Sequence, residues 1–222
     1  MKEYLYALKK VPLFSSLQDE RLAEILRIAQ KRKFPRGKTI CTEGEPGESM
    51  YVVLSGKVKV VFFHDSKEYI LAVIERGGFF GELSLIDGLP RSANVETIED
   101  SEFIVIRRGD FLRLAKENPE ILIEIMKTLS QRLRATDERI KSLAFLHVEN
   151  RILNYLLEFA KKNGLKVKNY LIVEKVPSNN EIANFCGCAR ETVSRAIKAL
   201  KDKGVLRGSK RQYIIFPPAE SV

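Results

Sequence analysis

The chain has 222 residues, 45% of them hydrophobic, with 38 Lys and Arg against 29 Asp and Glu for a net charge of +9. That length suits two small domains or one large one, and no low-complexity tract points to disorder. No apolar run approaches the ~20 residues that span a bilayer, and the opening MKEYLYALKKVPLF meets charge too early for a signal peptide, so a soluble, cytoplasmic protein is expected.

Leu22, Ile25, Leu26 and Ala29 recur at helical spacing and predict a helix over residues 19–30. Residues 39–106 then alternate short β-rich runs with glycine turns: 49–55 (SMYVVLS), 58–63 (VKVVFF), 69–74 (YILAVI), 95–98 and 103–106. Many short strands at short spacing predict an antiparallel sandwich or barrel rather than a parallel sheet. Cys41 falls in such a run and is expected to be buried. Three cysteines are too few for a disulfide framework.

Within this region, residues 79–95 read FFGELSLIDGLPRSANV. Gly81 followed by ELSLI predicts a short helix whose free N–H groups can face an anion. Arg91 follows within reach, and a guanidinium suits bidentate phosphate recognition. Ser92 adds a hydroxyl, and Glu82 can accept hydrogen bonds from sugar hydroxyls. The same composition also suits a surface loop that happens to carry an arginine.

Residues 118–145 contain no Gly and a single Pro, at 119, where a helix accepts it. Leu122, Met126, Leu129, Leu133, Thr136, Ile140 and Leu143 recur with spacings 4-3-4-3-4-3, three heptads of an a/d seam. Such a helix would be about 42 Å long. Its narrow stripe suits a copy of itself in a homodimer, or its own domain. Thr136 is the one polar residue on the seam; it either fixes register or touches something held between helices.

A helix over 148–162 and a strand over 170–176 precede residues 178–204, SNNEIANFCGCARETVSRAIKALKDKG. Ser178 and Glu181 have the spacing of a reciprocal capping box, Gly187 supplies a turn, and Gly204 a C-cap. In the second helix, Val193, Ala196, Ile197 and Leu200 fall on one side. Arg190, Glu191, Ser194, Arg195, Lys198 and Lys201 fall on the other, with Thr192 beside them. This is a helix-turn-helix pattern, whose second helix reads the DNA major groove; a basic face on a solvated surface helix looks the same in isolation. Charge favours DNA: residues 147–222 carry 14 Lys and Arg against 7 Asp and Glu, net +7, whereas residues 1–146 are net +2. Residues 205–207 and 212–216 flank Gly208-Ser209-Lys210 and predict a hairpin, the wing of a winged helix, where Lys210 and Arg211 would meet phosphates. Cys186 and Cys188 sit at the turn as packing residues, with no second pair for a zinc site.

These pieces, in this order, resemble the family of the cyclic-AMP receptor protein and the fumarate–nitrate reductase regulator. The likeness spans nearly the whole chain and is most specific at Gly81-Glu82-Leu83 with Arg91-Ser92-Ala93, at SLAFLHV (142–148) and at GCARETVSR (187–195). It implies an α+β fold: an N-terminal antiparallel, jelly-roll-like β-roll that binds a cyclic nucleotide (1–117), a long dimerisation helix and hinge (118–146), and a winged helix-turn-helix that binds DNA (147–222). The resemblance also implies roles. Gly81, Glu82 and Leu83 would line the ribose side of the site, with Glu82 on the hydroxyl. Arg91 and Ser92 would hold the cyclic phosphate of cAMP, and Thr136 the adenine.

Ser178, Arg190, Glu191, Thr192, Ser194, Arg195, Lys198 and Lys210 would face a palindromic operator with TGTGA-like half-sites; Arg pairs with guanine and Glu with cytosine. RNA polymerase is a further implied partner. One departure is Asp137, where the family has a ligand-binding serine; another effector, or a regulator active without ligand, is the alternative that it raises. No metal, iron–sulfur cluster or haem is expected. Only Cys41 precedes residue 180, and His64 and His147, 83 positions apart, are the only histidines and are expected at the surface or hinge. The same scarcity of ligands argues against a metal-dependent enzyme.

Overall fold

In the computed structural model, residues 2–64, 67–209 and 212–217 are described. The chain forms two compact units, Met1–Leu133 and Arg134–Val222. The first opens with α1 (Lys2–Lys9), a single 3-10 turn (Pro12–Phe14) and α2 (Asp19–Ile28). Eight strands follow: β1 (Gln30–Phe34), β2 (Thr39–Cys41), β3 (Ser49–Ser55), β4 (Lys57–His64), β5 (Lys67–Glu75), β6 (Phe79–Phe80), β7 (Asn94–Thr97) and β8 (Ser101–Arg107). A short helix, α3 (Glu82–Asp87), lies between β6 and β7, and α4 (Arg108–Glu117) follows β8.

The strands form two antiparallel sheets, ordered β1-β8-β3-β6 and β2-β7-β4-β5. Strand period two sorts the first sheet's side chains between two cores. Met50, Val52, Leu54, Ile104 and Ile106 turn toward the helices, where they meet Leu8, Phe14, Leu22 and Ile25. Val53, Phe103 and Val105 turn the other way, toward Val58, Phe80, Val95 and Cys41. Cys41 is therefore an inter-sheet core residue, and burial pushes its thiol up to about 11.

The helix α5 (Pro119–Phe145) runs through the division between the units. Ile121 and Ile125 bury into the first unit's core and Leu129 packs against it. The neighbouring apolar residues Leu122, Met126, Leu133, Ile140 and Leu143 stay exposed. One stripe of α5 thus docks at home while most of the heptad seam is left open.

The second unit holds α6 (Val148–Asn163), β9 (Leu165–Val167), β10 (Tyr170–Val173), α7 (Asn179–Cys186), α8 (Arg190–Asp202), β11 (Leu206–Ser209) and β12 (Gln212–Ile215). Its sheet runs β11-β12-β10-β9. Ile152, Leu156, Ile182, Val193, Leu200 and Ile215 meet in one core. Cys186 belongs to that core and Cys188 packs against it; burial pushes the Cys186 thiol up to about 12.

Several expectations need correction. The helix predicted to Gln30 stops at Ile28, because Gln30 already pairs with Val105 in the sheet. The strand predicted over 170–176 ends at Val173. Helices α1 and α4 and strands β1, β6 and β9 had no sequence prediction. His64 and His147, expected at the surface or hinge, need no such correction: both are exposed, His147 as the N-cap of α6.

Candidate ligand site and nucleic-acid interface

The loop from β6 to β7 builds a compact polar site. Gly81 has φ +80°, and a Cβ there would lie 2.6 Å from Arg91 Nη1 and 3.0 Å from the Ser49 carbonyl. Both the left-handed backbone and the close approach require glycine. α3 starts at Glu82 and closes on Gly88, whose N–H donates to the Ser84 carbonyl. The backbone of Arg91 is pinned to the loop after β2: Arg91 N–H donates to Glu45 O at 2.8 Å, and Gly44 N–H to Arg91 O at 2.9 Å.

The Arg91 guanidinium is only 9% exposed. It donates from Nη1 to Gly81 O at 2.9 Å and from Nη2 to Ser49 O at 2.6 Å. Those two bonds leave Nε–H and one N–H on each Nη to donate elsewhere. Among the described residues its hydrogen-bond partners are carbonyls, not carboxylates. A buried cation without a counter-ion is costly, and an anion held there removes the cost.

Glu82 is 1% exposed. Its Oε1 accepts from Arg132 Nη1 at 2.8 Å, while its buried Oε2 has no hydrogen-bond partner among the described residues. Arg132 also donates to the Phe79 carbonyl, and its guanidinium lies 5.1 Å from the Phe79 ring centroid. Burial raises the Glu82 carboxyl above the usual carboxylate range, against the pull of Arg132 and, more weakly, of Arg91. A hydroxyl donor is the chemical complement of an orphaned buried carboxylate oxygen.

Of the sequence-predicted ligand residues, the structure brings Gly81, Glu82 and Arg91 together. Leu83, 39% exposed, follows Glu82 in α3, and Ser92, exposed, follows Arg91 in the loop. Thr136 and Asp137 belong to the second unit, where both are exposed on α5. Two residues were missed. Arg132 holds Glu82, yet a polar residue off the seam reads as solvated. Gly47 is the other: a Cβ there would lie 2.5 Å from Ser84 Cβ and 2.9 Å from Arg91 Cζ.

The helix pair in the second unit follows its local chemistry closely. Ser178 Oγ accepts from the Glu181 N–H at 3.2 Å, and Glu181 Oε2 accepts from the Ser178 N–H at 2.7 Å, a complete capping box. Gly187 ends α7 at φ +62°. Val193, Ala196, Ile197 and Leu200 bury one face of α8. Arg190, Glu191, Ser194, Arg195 and Lys198 are exposed together on the other, and Thr192 is half-buried. Behind this pair, Arg139 of α5 donates to the Phe185 carbonyl at 3.2 Å and sits 3.8 Å from that ring's centroid. Arg151 of α6 donates to Cys186 O at 3.3 Å. Two cations thus satisfy the last carbonyls of α7. The hairpin β11–β12 follows; Lys210 and Arg211, expected at its tip, lie outside the described residues.

Residues 31–118 match the model of the cyclic nucleotide-binding domain, and residues 177–206 that of the bacterial regulatory proteins of the crp family. A CRP-like cAMP-activated global transcriptional regulator of Mycobacterium tuberculosis is 31% identical over 209 residues, which cover 94% of this chain and 93% of that protein. The chain belongs to the Crp family of transcription regulators. This family member is also 35% identical to the cyclic AMP receptor protein of Thermus thermophilus over 90% of each chain. Its fold matches that of the c-di-GMP responsive global regulator CLP of Xanthomonas campestris, with a TM-score of 0.78, 26% identity, and coverage of 90% of this chain and all of that one. These relatives are regulators, not enzymes, in line with the expectation from the sequence. Among the described residues no helix is long and apolar enough to cross a membrane.

Proposed function

We propose that the chain is a homodimeric transcription regulator, acting on DNA in the cytoplasm, whose operator affinity is gated by a cyclic nucleotide, cAMP first among candidates. One observation carries this reading: among the described residues, a buried guanidinium bonded to carbonyls and to no carboxylate, Arg91, lies in one loop with a buried carboxylate oxygen that has no donor, Glu82 Oε2. A cyclic phosphate fits the first and a ribose hydroxyl the second. In this reading Arg91 and Ser92 hold the phosphate, Gly81, Glu82 and Leu83 the ribose side, and Thr136 the base. Thr136 enters from its place on the seam and from the family pattern.

The open apolar stripe of α5 pairs with its copy across a two-fold axis. The two α8 helices then meet successive major grooves, about 34 Å apart. Arg190, Glu191, Thr192, Ser194 and Arg195 face base edges. Ser178, Lys198 and the wing around Lys210 meet phosphates, on a palindrome with TGTGA-like half-sites. RNA polymerase is the partner downstream. The three-part division at residues 117 and 146 remains part of this proposal.

A second reading keeps the fold and changes the effector. Asp137 favours it, since a carboxylate beside an anionic ligand opposes binding, and so does the c-di-GMP responsiveness of the Xanthomonas relative. Calorimetric titration with cAMP and, separately, with c-di-GMP tests the two. Binding of cAMP with tightened operator affinity supports the first reading. Binding of c-di-GMP alone selects the second, and binding of neither removes the ligand proposal while leaving the DNA one standing.

A further inference from the structure

Across the helix-turn-helix, Asn179 Nδ2 donates to Ser194 Oγ at 2.9 Å. Asn179 is the first residue of α7, directly after the Ser178 cap, so its backbone is fixed by the capping box. Ser194 lies on the exposed face of α8, between Glu191 and Arg195.

A serine hydroxyl has one proton and two acceptor lone pairs. In mid-helix its default is to donate that proton back to a carbonyl one turn earlier, as Thr128 of α5 does to Glu124 O at 3.0 Å. Ser194 makes no such bond; among the described residues its hydroxyl accepts from Asn179 and donates to no protein group. The bond restrains the Ser194 side chain through its oxygen and leaves its proton for another acceptor.

We infer that Asn179 is a positioning residue that makes Ser194 a fixed hydrogen-bond donor toward one base edge. The inference rests on the proposed reading of α8 as the base-reading helix. The matching acceptors in the major groove are guanine O6 or N7, adenine N7 and thymine O4. Asn179 would then set preference at a single base pair without touching it, adding a readout beside those of Arg190, Glu191 and Arg195. A donor ordered before binding also spares the complex the cost of ordering it afterwards.

The test is selection by the full chain from a duplex library randomised in both half-sites, with cAMP, with c-di-GMP and with neither, alongside melting temperature and salt dependence. Ser194→Ala is expected to flatten preference at one position about three- to tenfold, the worth of one hydrogen bond. Asn179→Ala flattens the same position with melting temperature held, and the double variant flattens it no further. Asn179→Asp, which can only accept, draws the serine proton inward and flattens that position too.

If Asn179→Ala instead weakens every sequence alike, with the salt slope unchanged as for a neutral side chain, Asn179 is a phosphate contact and the inference is overturned. If Ser194→Ala flattens a position and Asn179→Ala does not, this inference alone falls. If Ser194→Ala flattens none, or the wild type enriches no sequence, the reading of α8 at Ser194 fails first and takes the inference with it.

Discussion

Arg132→Ala isolates the energetics of the ligand site. The substitution removes the Glu82 counter-ion, the bond to the Phe79 carbonyl and the cation above the Phe79 ring. Breaking a fully buried pair by deleting one partner costs about 3–5 kcal/mol. The Arg132 side chain is 36% exposed against 2% for Glu82, so solvent already screens one partner, and about 2 kcal/mol is the expected loss at neutral pH. The loss also has a definite pH dependence. Glu82 is already raised by burial, with Arg132 opposing; without Arg132 it rises further above its unfolded value. A folded state that binds the extra proton loses stability as pH rises from the unfolded pKa, about 4.3, through the folded one. The deficit of Arg132→Ala should therefore be small near pH 4.5 and grow to a plateau at higher pH. Urea denaturation across that range reads it directly. Glu82→Gln in the same chain should recover most of the loss at pH 7, because no charge is left to bury. A pH-independent deficit, unchanged in the Glu82→Gln background, would refute the ion-pair account and leave Arg132 as a packing residue on Phe79.

Gly47→Ala places a methyl 2.5 Å from Ser84 Cβ and 2.9 Å from Arg91 Cζ; it should cost about 1–3 kcal/mol in thermal stability and weaken nucleotide binding by calorimetry. Ser178→Ala breaks the capping box of α7 and should cost about 1 kcal/mol in urea denaturation. Arg190→Ala should cost about 1–3 kcal/mol on the preferred operator and relax one base position, whereas Lys198→Ala should weaken all sequences alike and reduce the salt slope. Cyclic 2′-deoxy-AMP, which keeps the phosphate and lacks the 2′-hydroxyl donor, should compete for the site yet shift operator affinity less than cAMP; an equal shift in a gel-mobility titration counts against the role given to Glu82.

What could be read from the sequence was what depends on near neighbours. Ser178 and Glu181 cap one another across three residues, Gly187 supplies its own left-handed turn, and the buried face of α8 follows from helical spacing. The heptad spacing of α5 left two partners open, a copy of the helix or its own domain; most of the seam is exposed, while Leu129 packs in its own unit beside Ile121 and Ile125, one stripe over. Features that depend on distant partners were not legible. QKRKF has no strand pattern, and β1 exists because β8 offers it an edge. Arg132 meets Glu82 across 50 positions, and Gly47 shows its need for a bare Cα only once Ser84 and Arg91 stand against it. Asn179 and Ser194, 15 positions apart, carry no mutual sequence signal.

On the proposed reading, the site's two charged anchors differ in what they can transmit. Arg91 is fixed within the first unit by bonds from its backbone and its guanidinium to the loops around it. A phosphate held there adds affinity, but to the extent that this frame is the same in both states it shifts neither, since only differential binding moves an equilibrium. Glu82 is different, because its partner Arg132 belongs to α5, the helix that carries the open seam. On that reading, a hydroxyl that donates to Glu82 Oε2 would draw charge from the carboxylate whose Oε1 holds Arg132, and so act on the helix. Moving a two-state protein from 1:99 to 99:1 takes about 5.5 kcal/mol. One hydrogen bond to a charged group supplies about 1.5–3. The remainder must come from elsewhere, and Met126, Leu133, Ile140 and Leu143, 44–63% exposed in the single chain, each offer about 1 kcal/mol on burial of what is still exposed. On the proposed reading, an effector would tip a helix whose seam gains further free energy by pairing with its copy, and DNA bound by such a dimer would strengthen effector binding by the same factor that the effector strengthens DNA binding.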